Sequence, residues 1–209
     1  MMTLTEIFDY YKTDKGSIGH GSEVHNYGLV YQDFFEPLRT TPISLLEIGV
    51  LTGNSLRSWR DYFENGDIFG VDNDPICIFQ EHRIQTKLAD QSNPQTIVDA
   101  FDGREYDIII DDGSHESIHQ QQTLKELFKY VKPGGYYIIE DLHCPYLNHP
   151  TRWGKTQIGN RVDTTYEMIV NQFDMSYYID SYSFDIIKQS IDNYWYNQKV
   201  VVIKKKELL

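Results

Sequence analysis

The residues with the clearest capacity for chemistry follow two apolar runs of the sequence. The run "YDIII" is followed directly by the motif "DDGSH", which spans residues 111–115, and the run "YYII" is followed by Glu140 and Asp141. Buried strands read as apolar runs, and charge inside such a strand is costly. We therefore expect these polar groups at the ends of two strands, where they meet solvent or a ligand.

The carboxylates of this set suit a hard metal ion. Acidic groups that converge from neighbouring strand ends repel one another unless a cation lies between them. Asp112, Glu140 and Asp141 offer oxygen ligands without a cysteine, which is typical of Mg²⁺, Mn²⁺ or Ca²⁺ and not of zinc. Mg²⁺ takes about six oxygen ligands, so positions remain for water and for two adjacent substrate hydroxyls. The pattern predicts a divalent-metal site that binds a vicinal diol.

His115 follows Asp112 by three residues and is the predicted general base. A hydroxyl of such a diol is a poor nucleophile at neutral pH, and a bound metal lowers its pKa. A neutral imidazole can then accept the proton as the oxygen attacks. His143 lies close to the metal acids in sequence, and we interpret it as a substrate contact. His119 is expected to begin a helix and to face solvent or pack.

The elements that must position these residues alternate along the chain. Strand patterns occur at "SLLEIGV", "DIFGVD", "IQTKLAD", "YDIIIDD" and "YYIIED", with helical patterns between them, and two further strands close the chain. Such alternation indicates βαβ units. We predict an α/β fold, a Rossmann-like, doubly wound, mostly parallel seven-stranded sheet with helices on both faces and one antiparallel strand near the C-terminus. Ligands of such sheets bind at the carboxyl ends of the strands.

The length of 209 residues is enough for one domain with a sizeable core. We expect a single domain over 1–209, with an N-terminal cap of helix and loop over 1–42. The segment 143–160 is long, polar and without strong periodicity. Long irregular segments in small domains are usually functional or disordered, and we predict that this one covers the substrate.

The composition restricts the partners. The net charge of −12 argues against binding to a nucleic acid backbone. No apolar run is long enough to span a bilayer, and the first residues lack the regions of a signal peptide. Two cysteines make no disulfide framework, so a reducing cytoplasm is the expected location. We expect a small-molecule or glycan substrate, no nucleic acid and no membrane insertion, and we leave a homo-oligomer open.

A glycine-bearing turn, "EIGVLTGNS", spans residues 47–55 and leads from the first strand into a helix. Gly49 and Gly53 allow a tight turn and the close approach of a ligand. Asp72 ends the next strand, where an acid can accept hydrogen bonds from a ribose diol. The spacing is not G-x-G-x-x-G, and a plain glycine turn explains this loop, taken alone, about equally well.

Two acids favour S-adenosylmethionine (AdoMet) over NAD as the ligand of this turn. Glu47 lies within the strand, two residues before Gly49, and Asp90 ends the third strand, where it can accept a hydrogen bond from the adenine amino group. The pyrophosphate of NAD would favour more glycines and a bare helix N-terminus, whereas AdoMet has no phosphate. The predicted cofactor-binding residues are Glu47, Gly49, Gly53, Asn54, Ser55, Asp72, Asp90, Gln91 and Asp111.

Several motifs together resemble the class I AdoMet-dependent methyltransferases, and more narrowly the metal-dependent sugar O-methyltransferases of the mycinamicin and macrocin type. They are "LLEIGVLTGNSLRSWRDYF", "GVDNDP", "DQS", "IIIDDGSH" and "PGGYYIIEDLH". The resemblance implies metal binding by Asp112, Glu140 and Asp141 and a base role for His115.

The upstream motifs "TDKGS" and "HNYGLVY" are similar to the same family. This similarity implies that His25, Tyr27 and Tyr31 close over AdoMet or substrate, and a packing role explains them equally well. The favoured function is AdoMet-dependent methylation of a sugar hydroxyl. One alternative is a catechol-type methyltransferase, which typically brings a lysine base, whereas Lys87 and Lys132 lie in less suitable places. An alternative of another class is an NAD-dependent oxidoreductase.

Overall fold

The structure, a computed structural model, describes residues 1–18, 24–146, 157–158, 161–162, 164–170, 191–197 and 199–207. The Cα positions cluster into two units, Met1–Leu88 and Ala89–Leu209. A single domain over 1–209 stays a prediction. Most of the segment predicted to cover the substrate, 143–160, lies outside the described residues, and that role also stays a prediction.

The first unit begins with two helices, α1 (Leu4–Tyr11) and α2 (Tyr27–Phe35). A capping box opens α1, because the Thr3 hydroxyl accepts a hydrogen bond from the Glu6 N–H while the Glu6 carboxylate accepts one from the Thr3 N–H. The remaining elements are β1 (Ser44–Ile48), α3 (Asn54–Tyr62), β2 (Asp67–Asp72), β3 (Gln80–Glu81) and β4 (Ile84–Leu88). Strand β2 pairs in parallel with β1 and β4, and β3 is antiparallel to β4.

An aromatic cluster fills the core of the first unit. The ring of Trp59, on α3, lies 4.9 Å from the ring of Phe8 and 5.6 Å from that of Tyr31. Phe35 and Phe63 pack against the same indole, and all five side chains are buried. Helices α1 and α2 are therefore attached to α3 by tilted and edge-on ring contacts, which are favourable beyond the area they bury.

The second unit carries the other strands and helices. They are α4 (Gln95–Ala100), β5 (Tyr106–Asp111), α5 (Ser117–Leu127), β6 (Val131–Ile139), β7 (Gln157–Ile158), β8 (Arg161–Val162), α6 (Thr165–Val170), β9 (Ile191–Tyr196) and β10 (Val201–Lys205). Strands β5 and β6 are parallel, and β10 is antiparallel to both β6 and β9. Within the described ranges, no helix has the length and apolar character that a membrane crossing requires.

The predicted fold class is confirmed. The main sheet has eight strands, of which the first unit supplies β3-β4-β2-β1 and the second supplies β5-β6-β10-β9, each group in spatial order. The sheet is mostly parallel, and antiparallel pairing occurs at β10 near the C-terminus, as expected. One strand more than predicted is present because β3 consists of two exposed polar residues, which leave no apolar pattern in the sequence.

Strand β6 begins five residues earlier than the apolar pattern at Tyr136 indicates. The sequence "KPGG" reads as a stop between helix and strand, yet it lies inside β6. The pairing with β5 changes register between Tyr106 and Ile108, so an irregularity accommodates these residues. A Cβ atom at Gly135 would lie 2.5 Å from the carbonyl oxygen of Asp107, and a glycine is therefore needed where β5 approaches.

Candidate active site

The glycine turn after β1 has the tight backbone that its sequence predicts. Gly49 and Gly53 have φ values of 98° and 74°, which glycine adopts without strain. The Gly49 N–H donates to the carbonyl oxygen of Val71 over 2.8 Å. A Cβ atom at Gly53 would lie 2.4 Å from the ring of Phe79. The turn is thus a fixed structure, and it leads directly into α3.

The carboxylate of Asp72, at the end of β2, organises this turn. Its Oδ2 accepts hydrogen bonds from the N–H groups of Val50, over 2.9 Å, and Leu51, over 3.0 Å. Its Oδ1 accepts a third bond from the N–H of Asp74, over 2.9 Å. Asp72 therefore fixes the turn predicted to receive AdoMet, and its contact with a ribose stays a prediction. Asn54 and Ser55 are the half-buried first residues of α3, and their cofactor contacts stay predictions as well.

Glu47 lies in β1 with a fully buried side chain. The indole Nε1 of Trp59 donates a hydrogen bond to its Oε2 over 2.6 Å. The Nζ of Lys15 lies 3.7 Å from its Oε1, and the Lys15 side chain is only 2% exposed. Sequence reasoning did not single out Lys15, and its only signal was the resemblance of "TDKGS". The direct contact of Glu47 with AdoMet stays a prediction.

His25 and Tyr27 both make packing contacts within the first unit. The two rings are stacked, with centroids 5.1 Å apart and an interplanar angle of 20°. The Nε2 of His25 lies 3.8 Å from Oδ2 of Asp14, and Tyr27 is 2% exposed. These contacts agree with the packing interpretation, and the alternative contact with AdoMet or substrate stays a prediction.

Asp111 is the last residue of β5 and is fully buried. Its Oδ1 accepts a hydrogen bond from Nε2 of Gln91 over 2.6 Å. Burial raises the pKa of the Asp111 carboxyl to about 7. The hydrogen bonds from Gln91 and from the Gly113 N–H lower this pKa but do not offset the effect of burial. Among the described residues, Oδ2 of Asp111 has no hydrogen-bond partner. A buried, partly satisfied carboxyl is common at functional sites.

Two residues after β4 connect to this strand end in different ways. Gln91 is buried, and its Oε1 accepts a hydrogen bond from the N–H of Ser114 over 2.8 Å. Asp90 is exposed, and its Oδ1 accepts a bond from the N–H of Ser92 over 2.9 Å. The predicted contact of Asp90 with an adenine amino group is untested by these contacts and stays a prediction, as does direct cofactor binding by Gln91 and Asp111.

Asp112, His115 and Asp141 converge in the second unit. One potential ligand atom from each lies within 4.8 Å of the others, and Nε2 of His115 lies 3.7 Å from Oδ2 of Asp141. His115 and Asp141 have φ values of 60° and 56°, in the left-handed region that side chains other than glycine rarely adopt. Two carboxylates and an imidazole at this spacing can hold a divalent cation or orient the imidazole as a base.

Glu140 lies beside this group but outside it. The residue is 1% exposed, and its N–H donates to the carbonyl oxygen of Asp111 over 2.9 Å. Its own carbonyl oxygen accepts a hydrogen bond from Nε2 of Gln120 over 2.9 Å. The structure thus groups Asp112 and Asp141 with His115. The metal site predicted from the sequence instead combined the two aspartates with Glu140. The role of Glu140 as a metal ligand stays a prediction.

The other two histidines of this region differ in their surroundings. His143 is half-buried, and one of its ring nitrogens lies within 4.8 Å of a carboxylate oxygen of Asp141. The Nδ1 of His119, on α5, lies 2.9 Å from Oγ of Ser114, which agrees with its expected packing role. Residues 147–156 follow His143 and lie outside the described part of the chain, and substrate binding by His143 stays a prediction.

Comparison with known sequences finds a family match over the middle of the chain. Residues 46–139 match a family model described as a methyltransferase domain. The chain is 38% identical over 141 residues to 8-demethyl-8-alpha-L-rhamnosyl tetracenomycin-C 2'-O-methyltransferase of Streptomyces olivaceus; the match covers 62% of this chain and 37% of the relative. It is 35% identical over 151 residues to demethylmacrocin O-methyltransferase of Streptomyces fradiae, covering 68% and 37%. The matches thus span little more than a third of these relatives.

Comparison with solved structures agrees with this result. MycE methyltransferase from the mycinamycin biosynthetic pathway, solved in complex with Mg, SAH and mycinamycin VI, superposes with a TM-score of 0.79 at 27% identity. The match covers 99% of this chain and 55% of that protein. A putative O-methyltransferase from Klebsiella pneumoniae, at 12% identity and a TM-score of 0.57, shares the fold. Residues 46–139 thus resemble a methyltransferase domain on a Rossmann-like sheet, and the expected resemblance to the sugar O-methyltransferases of the mycinamicin and macrocin type is confirmed.

Proposed function

We propose that the chain transfers a methyl group from AdoMet to a hydroxyl of a sugar, in a glycan, glycolipid or secondary metabolite, in a reaction that requires a divalent metal ion. The observation that carries the proposal is the convergence of Asp112, His115 and Asp141 within 4.8 Å directly after β5 and β6. It is supported by the relatives, which are O-methyltransferases, one of them named for a rhamnosyl tetracenomycin, and by MycE, which was solved with Mg and SAH.

The donor set at the strand ends fits Mg²⁺, with Mn²⁺ or Ca²⁺ as the alternatives. The group found by geometry contains carboxylate and imidazole ligands and no cysteine, which favours a hard cation over a thiophilic one. Asp112 and Asp141 would hold the ion, and Glu140 is kept as a third ligand. When bound, Mg²⁺ lowers the pKa of a hydroxyl and aligns two adjacent substrate oxygens.

His115 is the proposed general base. Its imidazole is half-buried and reaches within 3.7 Å of Oδ2 of Asp141, so a carboxylate is near enough to orient the ring. The same distance also permits His115 to act as a metal ligand. The two roles predict different effects of His115→Ala, because only loss of a ligand weakens metal binding.

The turn after β1 is the proposed receptor of AdoMet. Gly49 and Gly53 give the turn its positive-φ backbone, Asn54 and Ser55 begin α3, and Asp72 presents its carboxylate beside the turn. Binding here would bring the cofactor to the carboxyl ends of β1 and β2, the usual position for ligands of such sheets. Glu47, Asp90 and Asp111 are the remaining proposed cofactor residues; Asp90 is exposed, whereas Glu47 and Asp111 are buried.

The decisive experiment is a methyl-transfer assay with radiolabelled AdoMet. The acceptors are methyl glycosides with a vicinal diol, the same sugars lacking one hydroxyl of the diol, and catechol. We expect transfer to a diol-bearing sugar, its loss in EDTA and its recovery with Mg²⁺. Full activity in EDTA would contradict the metal requirement, and transfer to catechol in preference to every sugar would favour the catechol-type alternative.

Cofactor choice, location and oligomeric state of the proposed enzyme can each be tested separately. The NAD-dependent alternative predicts tight binding of NAD, and calorimetric titration with NAD and with AdoMet separates the two. The cytoplasm remains the proposed location, and independence from nucleic acid is proposed from the net charge of −12. A homo-oligomer is left open, and light scattering on the purified chain gives the subunit count.

A further inference from the structure

Gln91 links two loops of the second unit through both ends of its side-chain amide. Its Nε2 donates to Oδ1 of Asp111 over 2.6 Å, and its Oε1 accepts from the N–H of Ser114 over 2.8 Å. The residue is only 7% exposed. An amide that donates to one buried group and accepts from another fixes the separation of its two partners.

The bond to Ser114 bears directly on the proposed metal site. Ser114 lies between Asp112 and His115 in the sequence, so the position of its backbone constrains both side chains. The Oγ of Ser114 lies 2.9 Å from Nδ1 of His119, and it accepts a bond from the N–H of Glu116 over 3.3 Å. The loop that carries Asp112 and His115 is therefore held at Ser114, through both the backbone N–H and the side-chain hydroxyl of that residue.

The backbone of this loop needs such support. His115 has a φ of 60°, and a non-glycine residue in the left-handed region persists only where its surroundings over-determine it. Hydrogen bonds between residues of the same loop cannot fix the position of that loop relative to the rest of the unit. The bond from Ser114 to Gln91 comes from a different segment, which follows β4, and it ties the loop to Asp111 at the end of β5.

We propose that Gln91 is a positioning residue for the divalent-metal site, which acts through Asp111 and Ser114 on the loop that carries Asp112 and His115. The inference rests on the proposed function for the identity of the ligands. It alters the sequence-based expectation for Gln91, which was direct contact with AdoMet. One N–H and one lone pair of the amide are already used within the protein.

The experiment measures Mn²⁺ binding to the full chain by electron paramagnetic resonance of the free ion, with S-adenosylhomocysteine binding measured in parallel by calorimetry. Gln91→Met keeps the length of the side chain and removes both hydrogen bonds. Gln91→Asn keeps the amide but is one methylene too short to reach both partners. Gln95→Met is the matched control, because Gln95 is exposed and bonds only to Asp99 within α4.

We expect both Gln91 variants to bind Mn²⁺ about 10–100-fold more weakly than wild type, the usual effect of losing a residue that supports metal ligands, with a much smaller change in S-adenosylhomocysteine affinity. The control should match wild type. Wild-type affinity for Mn²⁺ in a folded Gln91 variant would overturn the inference and leave the proposed function intact. Selective loss of S-adenosylhomocysteine binding would overturn it in favour of direct cofactor contact. A wild-type chain that binds no Mn²⁺ would overturn the metal-dependent function itself.

Discussion

The Nζ of Lys15 lies 3.7 Å from Oε1 of Glu47, and neither side chain is more than 2% exposed. Trp59 donates to the other carboxylate oxygen, so a loop after α1, strand β1 and helix α3 meet at a single acid. Removing two charges from water is expensive, and a buried ion pair adds little net stability. The arrangement therefore acts mainly to fix the N-terminal loop relative to the strand that leads into the glycine turn.

Lys15→Met is expected to lower the free energy of unfolding by about 3–5 kcal/mol, because it leaves the Glu47 carboxylate buried without its cation. Urea denaturation at pH 7 measures the change. The double variant Lys15→Met, Glu47→Gln should recover much of the loss, since the amide is neutral and can still accept the bond from Trp59. Lys129→Met is the control. Its ion pair with Glu126 is exposed, and its loss should cost less than about 1 kcal/mol. Equal effects at Lys15 and Lys129 would contradict this account.

Asp72→Ala should weaken AdoMet binding by about 1.5–3 kcal/mol, the usual contribution of hydrogen bonds to a charged group. The substitution removes the proposed ribose acceptor and the acceptor of the Val50 and Leu51 N–H groups. Isothermal titration calorimetry with AdoMet measures the change. Asp67→Ala serves as the control, because Asp67 is the exposed first residue of the same strand. Unchanged affinity in Asp72→Ala would remove the ribose assignment.

His115→Ala should reduce turnover by roughly 10²–10⁴-fold, the usual loss for a general base, while the affinities for AdoMet and Mg²⁺ stay close to those of wild type. Single-turnover kinetics and metal titration measure the two effects separately. His82→Ala is the control, because His82 is exposed in a turn. A parallel loss of Mg²⁺ affinity would identify His115 as a ligand, and wild-type turnover would make His143 the next candidate for the base.

Glu81→Gln tests a charge network behind the glycine turn. Arg57 bonds to the Glu81 carboxylate over 2.7 Å and to the carbonyl oxygen of Thr52 in the turn. The hydrogen bond from Arg57, with the nearby charges of Arg57 and Arg60, lowers the pKa of Glu81 from its ordinary value of 4.5. A lowered carboxyl pKa stabilises the folded protein above that ordinary value, and the stabilisation is lost as pH falls through the folded-state pKa.

The expected loss in Glu81→Gln at pH 7 is less than about 1 kcal/mol, because the pair is partly exposed and screened by solvent. Urea denaturation at pH 7 and at several values below 4.5 should show the difference between wild type and variant shrinking with acid. Glu64→Gln, at an exposed turn position, is the control for loss of one negative charge. A difference that grows below pH 4.5 would show that the sign is wrong.

The parallel core of the fold could be predicted because its strands leave a strong signal. Strands β1 and β5 are apolar and almost wholly buried, so hydrophobic runs mark them directly. Strand β3 and the start of β6 could not be predicted in this way. Strand β3 has only two residues, both exposed, and the start of β6 contains "KPGG", in which Gly135 is needed for the close approach of β5.

The candidate site could be predicted in part for a similar reason. Asp111, Asp112 and Asp141 stand at the ends of apolar runs, where sequence alone indicates an unusual cost of burial. Lys15 could not be found, because a lysine is ordinarily exposed, and Gln91 was predicted only as a cofactor contact. Their burial depends on partners far along the chain, and no local pattern records a bond such as that from Gln91 to Asp111.

The left-handed backbone of His115 and Asp141 places selection for reactivity against selection for stability. At φ values of 60° and 56°, any side chain with a Cβ costs roughly 1–2 kcal/mol, although histidine and aspartate tolerate the conformation better than most. His115→Gly should therefore be more stable than His115→Ala, although both lack the imidazole. A lineage released from the need to catalyse would gain stability by drifting towards glycine at both positions. On the proposed function, histidine and aspartate would persist at these positions only in lineages under selection for the reaction.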